Sequence, residues 1–301
     1  MLIDATDFIY REIIIIKKIT FCYGLNFVPN SGSLWLNGGV YAERSRSIAL
    51  PSERRLAGRA CTEYQCATLN NSQPVTDHSS LITAFPKMKK IYCISGLGSD
   101  EKVFAKIKVD GYDLVPIAWL PPEKKESIEA YAKRMSQTIT DEKPILMGLS
   151  FGGMMSIEIS KLLPVEKVIL ISSVKSYKEM PLWMRGAGKL QLNKIIPMHP
   201  YPILEPIQNY KMGVTNKEEK EMVRRYRQNI SQPLLSWSVN KILNWKNDWQ
   251  PNSIFHIHGD ADRIFPVKNI RPDYFIKGGG HFMVYNQAAE INRLLQLILK
   301  N

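Results

Sequence analysis

Apolar positions fall into two regimes along the chain. From residue 88 onward, short apolar runs alternate with amphipathic stretches and are punctuated by Gly and Pro. The short runs read as strands and the amphipathic stretches as helices. The predicted strands are Lys90 to Ser95, Tyr112 to Leu120, Pro144 to Leu149, Lys167 to Ser172, Ser253 to His258 and Tyr274 to Lys277. Ser127 opens a helix whose Ile128, Tyr131, Ala132, Met135 and Ile139 share one stripe, and Phe151 to Leu163 makes another. A last helix, Gln287 to Lys300, repeats the stripe with Ile291, Leu294, Leu295 and Ile298. Each connection is long enough for a crossover, so the six runs predict an α/β domain. Its sheet is mostly parallel and is covered by helices on both faces.

Residues 174 to 250 break this rhythm. The stretch is too long for a simple crossover and reads as helical, so it is expected to be a helical cap inserted into the sheet. One of its helices shows a capping-box pattern, Thr215 with Glu218, ahead of a basic run at Arg224, Arg225 and Arg227. Trp183, Trp237, Trp245 and Trp249 also fall here. Residues 1 to 87 lack such periodicity. Pro29 to Gly39 is rich in Asn, Ser and Gly, Ala42 to Arg59 in Arg and Ser, and Cys61 to Ser80 is polar. They read as a low-order extension. Met88-Lys89-Lys90 running directly into a strand reads as the start of a compact bacterial enzyme, with residues 1 to 87 expected to be an added or mis-called upstream extension.

Composition narrows the class. With 45% apolar and 23% charged residues in 301, the chain is not disordered throughout. Its densest early apolar run, Ile13 to Ile16, stops at Lys17 and Lys18, far short of the roughly 18 to 20 residues of a membrane span. Asp4 and Asp7 stand where a secretory signal carries positive charge, so a cytoplasmic location is expected. Cys22, Cys61, Cys66 and Cys93 have neither metal-ligand spacing nor disulfide-scaffold density and read as free thiols. The formal charge of +12 lies mostly after residue 87, and residues 174 to 250 hold 13 basic against 6 acidic residues. Such a surface steers anionic ligands. Glu218, Glu219 and Glu221 interrupt it and no nucleic-acid motif accompanies it, so no specific nucleic-acid partner is expected.

The sharpest chemical signal is Gly148-Leu149-Ser150-Phe151-Gly152, followed by Gly153, between a strand and a helix. A serine on such a sharp turn exposes its hydroxyl, and the glycines let strand and helix approach closely. Ser150 is therefore the candidate nucleophile. Of the histidines at 78, 199, 256, 258 and 281, His281 follows Gly278-Gly279-Gly280 after the last strand, at the same end of the sheet as Ser150. It is the candidate base. The loop from His258 to Pro266 supplies two candidate orienting carboxylates, Asp260 and Asp262, of which Asp262 is favoured.

Acyl transfer also needs donors for a developing oxyanion. Ser95-Gly96-Leu97-Gly98-Ser99 follows the first strand and offers the backbone N–H of Leu97, while Phe151 offers the second. A dinucleotide reading of the same loop fails, because Glu101 stands where G-x-G-x-x-G needs its last glycine. His256-x-His258-x-Asp260 begins like the H-x-H-x-D-H site of metallo-β-lactamase-like hydrolases and fails at Ala261. No metal and no organic cofactor is expected.

On these motifs, residues 88 to 301 resemble the α/β-hydrolase superfamily, particularly its compact bacterial members. The order Ser150, Asp262, His281 is the family's triad order, and Asp262 stands in the G-x-x-D pattern that starts at Gly259. The resemblance implies Ser150 as the nucleophile, Asp262 as the acid, His281 as the base and Leu97 and Phe151 as the oxyanion donors. It further implies hydrolysis of a small carboxylic ester or thioester. Two alternatives use the same frame: a slow-turnover ligand receptor, and a C–C hydrolase or lyase. Met180, Trp183 and Met184 suggest an apolar acyl pocket in the cap, whose basic excess suits an anionic leaving group. Two departures stand out. Ser95-Gly96 replaces the family's frequent His-Gly, and the two antiparallel strands that usually open the fold have no counterpart after Met88.

Overall fold

Side chains of the first strand, β1 (Lys89–Ile94), divide between two apolar clusters, Ile91 and Cys93 in one, Tyr92 and Ile94 in the other. A strand covered on both faces needs this unbroken apolar run, and the division recurs in β3 (Ile145–Leu149) and β4 (Lys167–Ile171). The structure, a computed structural model, describes residues 88–191 and 202–300. The expected extension, with His78, Cys22, Cys61 and Cys66, lies outside the described residues, as does His199.

With β2 (Tyr112–Pro116), β5 (Ile254–Gly259) and β6 (Tyr274–Ile276), the strands form one sheet in the order β2-β1-β3-β4-β5-β6. Every pairing is parallel, as the connection lengths predict. β2 ends earlier than the apolar run suggested: Pro116 carries no N–H, and proline is tolerated here because β2 is an edge strand.

In chain order the helices are α1 (Ile128–Ser136), α2 (Phe151–Ser160), α3 (Leu182–Lys189), α4 (Glu205–Met212), α5 (Lys217–Asn229), α6 (Gln232–Leu243), α7 (Met283–Asn286) and α8 (Ala288–Lys300). α1 begins at Ser127, whose side chain accepts the Ala130 N–H, and buries Ile128, Tyr131, Ala132 and Met135. Ile139 lies beyond its end and still packs on the same cluster. α1 and α2 cover one face of the sheet, and α7 and α8 the other.

The chain between β4 and β5 is helical, comprising α3 to α6 and short 3-10 turns. Met180, Met184 and Trp245 from this insertion are buried in the cluster shared with α1 and α2. Trp245 Nε1–H donates to Glu158 Oε1 at 2.8 Å. α5 starts one residue later than the capping-box reading placed it. Asn216 Oδ1 accepts the Glu219 N–H, and Glu219 Oε2 accepts the Thr215 N–H at 2.8 Å. Glu218 instead accepts the Tyr285 hydroxyl. The basic run is partly neutralised, since Arg224 and Arg227 both pair with Glu205 at 3.1 and 3.2 Å.

The chain leaves β1 toward the β2 edge and leaves β3 toward β4. Connections that part in this way open a crevice at the carboxyl ends of adjacent strands, the usual ligand position in an α/β sheet. Residues 95–99 and Ser150 meet there.

Candidate active site

Ser150 joins β3 to α2 with φ 53° and ψ −118°, a backbone conformation that L-residues rarely adopt. Hydrogen bonds on both sides hold the turn: Ser150 N–H donates to Ile171 O at 2.9 Å, and Ser150 O accepts the Ser173 hydroxyl at 2.7 Å and the Gly153 N–H at 2.9 Å. The glycines around it are required by space. A methyl group on Gly152 would fall 2.2 Å from Ile94 O, and one on Gly148 would fall 2.4 Å from Gly152 O. Strand β1 and helix α2 thus pack backbone to backbone beneath the serine.

Five residues proposed from sequence meet at this end of the sheet. His281 Nε2 lies 2.9 Å from Ser150 Oγ, and His281 Nδ1 lies 2.8 Å from Asp262 Oδ2. An ionised carboxylate only accepts, so Nδ1 carries the proton and Nε2 is free to accept from the serine hydroxyl. Asp262 Oδ1 accepts the N–H groups of Ile264 and Phe265 at 2.8 and 2.9 Å. Burial alone would raise the Asp262 pKa, but the His281 charge and hydrogen bond outweigh it and hold the carboxyl below its ordinary range. Asp260, the other acid weighed, accepts the Gly278 N–H at 2.6 Å and so ties its loop to the glycine run before His281.

Leu97 and Phe151 flank the serine. Phe151 follows it directly, and the Leu97 loop lies alongside: a methyl group on Gly96 would sit 3.6 Å from Ser150 Cβ. Neither Leu97 N–H nor Phe151 N–H donates to a partner among the described residues. Ser95 fixes the loop, donating to Ser99 O at 2.6 Å and accepting Trp119 Nε1–H at 3.0 Å. Ser99 in turn donates its hydroxyl to Gly96 O at 2.9 Å.

Sequence reasoning missed Trp119, Ser173 and the part played by His258. Trp119 and Ser173 follow strands without a motif that marks them. His258 is wholly buried behind Asp262, its Nε2 2.8 Å from Phe265 O and 3.7 Å from Asp262 Oδ2. A carbonyl can only accept, so Nε2 carries the proton. Burial pushes the pKa of His258 down, and that of its buried neighbour His256 further. Among the described residues, no three His, Cys, Asp or Glu side chains are grouped to hold a metal ion, and no helix is long and apolar enough to cross a membrane. Met180, Trp183 and Met184, read as acyl-pocket residues, pack in the cluster with α1 and α2.

No protein-family model and no curated protein matches the sequence. Solved structures do match. An esterase (EaEST) from Exiguobacterium antarcticum aligns with a TM-score of 0.55 at 14% identity, over 71% of this chain and 92% of that one. A bromoperoxidase from Bacillus anthracis aligns with a TM-score of 0.54 at 17% identity, over 71% and 92%. A thermophilic esterase from Thermogutta terrifontis aligns with a TM-score of 0.53 at 14% identity, over 70% and 89%. The six-stranded parallel sheet and its flanking helices are the α/β-hydrolase fold.

Proposed function

We propose that the protein is a serine hydrolase that cleaves a small carboxylic ester or thioester through an acyl-enzyme. The observation that carries this reading is the continuous line of hydrogen-bond distances from Ser150 Oγ through His281 to Asp262, at 2.9 and 2.8 Å. His281 takes the Ser150 proton as Oγ attacks the carbonyl carbon. Asp262 holds the imidazole in its Nδ1–H form and stabilises the imidazolium that results. The carbonyl oxygen becomes an oxyanion held by the N–H groups of Leu97 and Phe151. Collapse of this intermediate breaks the bond to the leaving group, which departs with the proton from His281. Water then repeats the sequence with His281 again as base, releasing the acid and restoring Ser150.

Hydrolysis of 4-nitrophenyl acetate and hexanoate tests this reading. Ser150→Ala and His281→Ala are each expected to lose about a thousandfold or more in kcat, and the double variant to lose no more than the worse single one, because the residues act as a unit. Retention of wild-type turnover by folded Ser150→Ala would remove the reading.

A further inference from the structure

Phe265 touches three groups at once. Its N–H donates to Asp262 Oδ1 at 2.9 Å, its carbonyl oxygen accepts His258 Nε2–H at 2.8 Å, and its ring stands edge-on to the His281 imidazole, with centroids 5.6 Å apart and planes at 62°. Phe265 is itself buried. The turn from Asp262 to Phe265 is therefore closed from both sides: the carboxylate holds the amide of its last residue and His258 holds the carbonyl. The same His258 Nε2 lies 3.7 Å from Asp262 Oδ2, the oxygen that meets His281 Nδ1 at 2.8 Å. At that separation the N–H adds an attractive dipole without a hydrogen bond of its own.

His258 stands on β5, which is paired on both sides by β4 and β6, so the sheet fixes where its ring lies. His256 packs edge-on against it, with centroids 5.1 Å apart. Burial, opposed by the Asp262 charge, lowers the His258 pKa, and the ring is neutral with its proton on Nε2. Its Nδ1 is buried and has no hydrogen-bond partner among the described residues. An acceptor left in that state is a cost that an apolar residue at 258 would avoid. What the ring supplies in return is its Nε2–H, aimed at the loop that carries the acid.

We propose that His258 is a positioning residue of the hydrolytic site, acting through Phe265 to fix both the Asp262 carboxylate and the His281 ring. The inference rests on Ser150, His281 and Asp262 working as the triad. His281 gains a positive charge as Ser150 attacks, and Asp262 stabilises that charge only while its oxygen stays on Nδ1–H. Without His258 Nε2–H the Phe265 carbonyl is released, and the amide and the ring it anchors are free to shift. A small misplacement of this kind slows the chemical step more than it weakens substrate binding.

The test compares His258→Leu, which fills the site without a donor, with His258→Gln, whose carboxamide carries an N–H of similar reach. On 4-nitrophenyl hexanoate, His258→Leu is expected to lower kcat by about 10- to 100-fold with KM within about twofold, and His258→Gln to regain at least about threefold of that loss. His258→Asn, too short to reach the Phe265 carbonyl, takes the place of the leucine variant if that one does not fold. The low-field proton resonance of His281 Nδ1–H, assigned by its loss in His281→Ala, reads the same geometry without turnover. It is expected to shift or broaden in His258→Leu and to return in His258→Gln. Wild-type kcat in folded His258→Leu, with stability alone reduced, overturns the proposal, as does an equal loss in the leucine and glutamine variants, which would assign the effect to packing. A resonance that responds as expected in a protein that turns over no ester upholds the positioning of His281 and Asp262 and removes the hydrolase reading instead.

Discussion

Trp119 lies flat on Phe151, with ring centroids 5.1 Å apart and planes 2° from parallel, while its Nε1–H donates to Ser95 Oγ at 3.0 Å. One side chain therefore links the residue after Ser150 to the loop that carries Leu97. If those two residues supply the oxyanion donors, Trp119 and Ser95 set their spacing. Trp119→Phe keeps a stacking ring and loses the N–H, and Ser95→Ala loses the bond from the other side. Each is expected to lower kcat by about 10- to 100-fold, the cost of a small misplacement, with KM within about twofold. Unchanged kcat in both variants would show that the link does not position the donors.

The Gly152 position tests the packing beneath the nucleophile. A methyl group there meets Ile94 O at 2.2 Å and Ser95 O at 2.4 Å, both backbone atoms that cannot swing aside. Gly152→Ala is expected to destabilise the fold by about 3 kcal/mol or more, the upper range for overpacking. Chemical denaturation of this variant beside Gly186→Ala checks it, because a methyl group on Gly186 meets nothing within 4 Å. Equal midpoints for the two variants would contradict the close approach of β1 and α2.

The sheet was legible in the sequence because its strands are buried on both faces, which forces unbroken apolar runs such as Ile145 to Leu149. The Ser150 turn was legible because the glycines that permit it are local to it. What stayed hidden depends on distant contacts. The Trp119 bond to Ser95 spans 24 residues and that of Ser173 to Ser150 spans 23, and neither leaves a periodic trace. The start of α5 was misplaced by one residue because Thr215 and Asn216 are both competent caps, and only the path of the chain decides between them. Met180 and Met184 read equally well as pocket or core, since an apolar residue does not say which apolar surface it meets.

Acid stability follows from the buried histidines. The folded pKa of His256 is depressed well below 6.5 by burial, then by His258, so the unfolded chain takes up protons that the folded one refuses. That contribution to stability is complete above about pH 6.5 and is lost as the pH falls toward the folded pKa. Asp262 adds a second loss at lower pH, its contribution being present above 3.8 and disappearing as the pH falls through its folded value. The melting temperature is therefore expected to fall from pH 7.5 to pH 5, and His256→Leu to flatten that decline. An equally steep decline in the variant would assign the acid sensitivity to other groups.

The most direct test of the Ser150, His281 and Asp262 assignment is reaction with a fluorophosphonate, with the adduct located by intact mass and peptide mapping. An activated serine predicts one adduct on the wild type at Ser150, none on Ser150→Ala, and much slower labelling of His281→Ala. A folded wild-type protein that stays unlabelled, or an adduct on another residue, would contradict it.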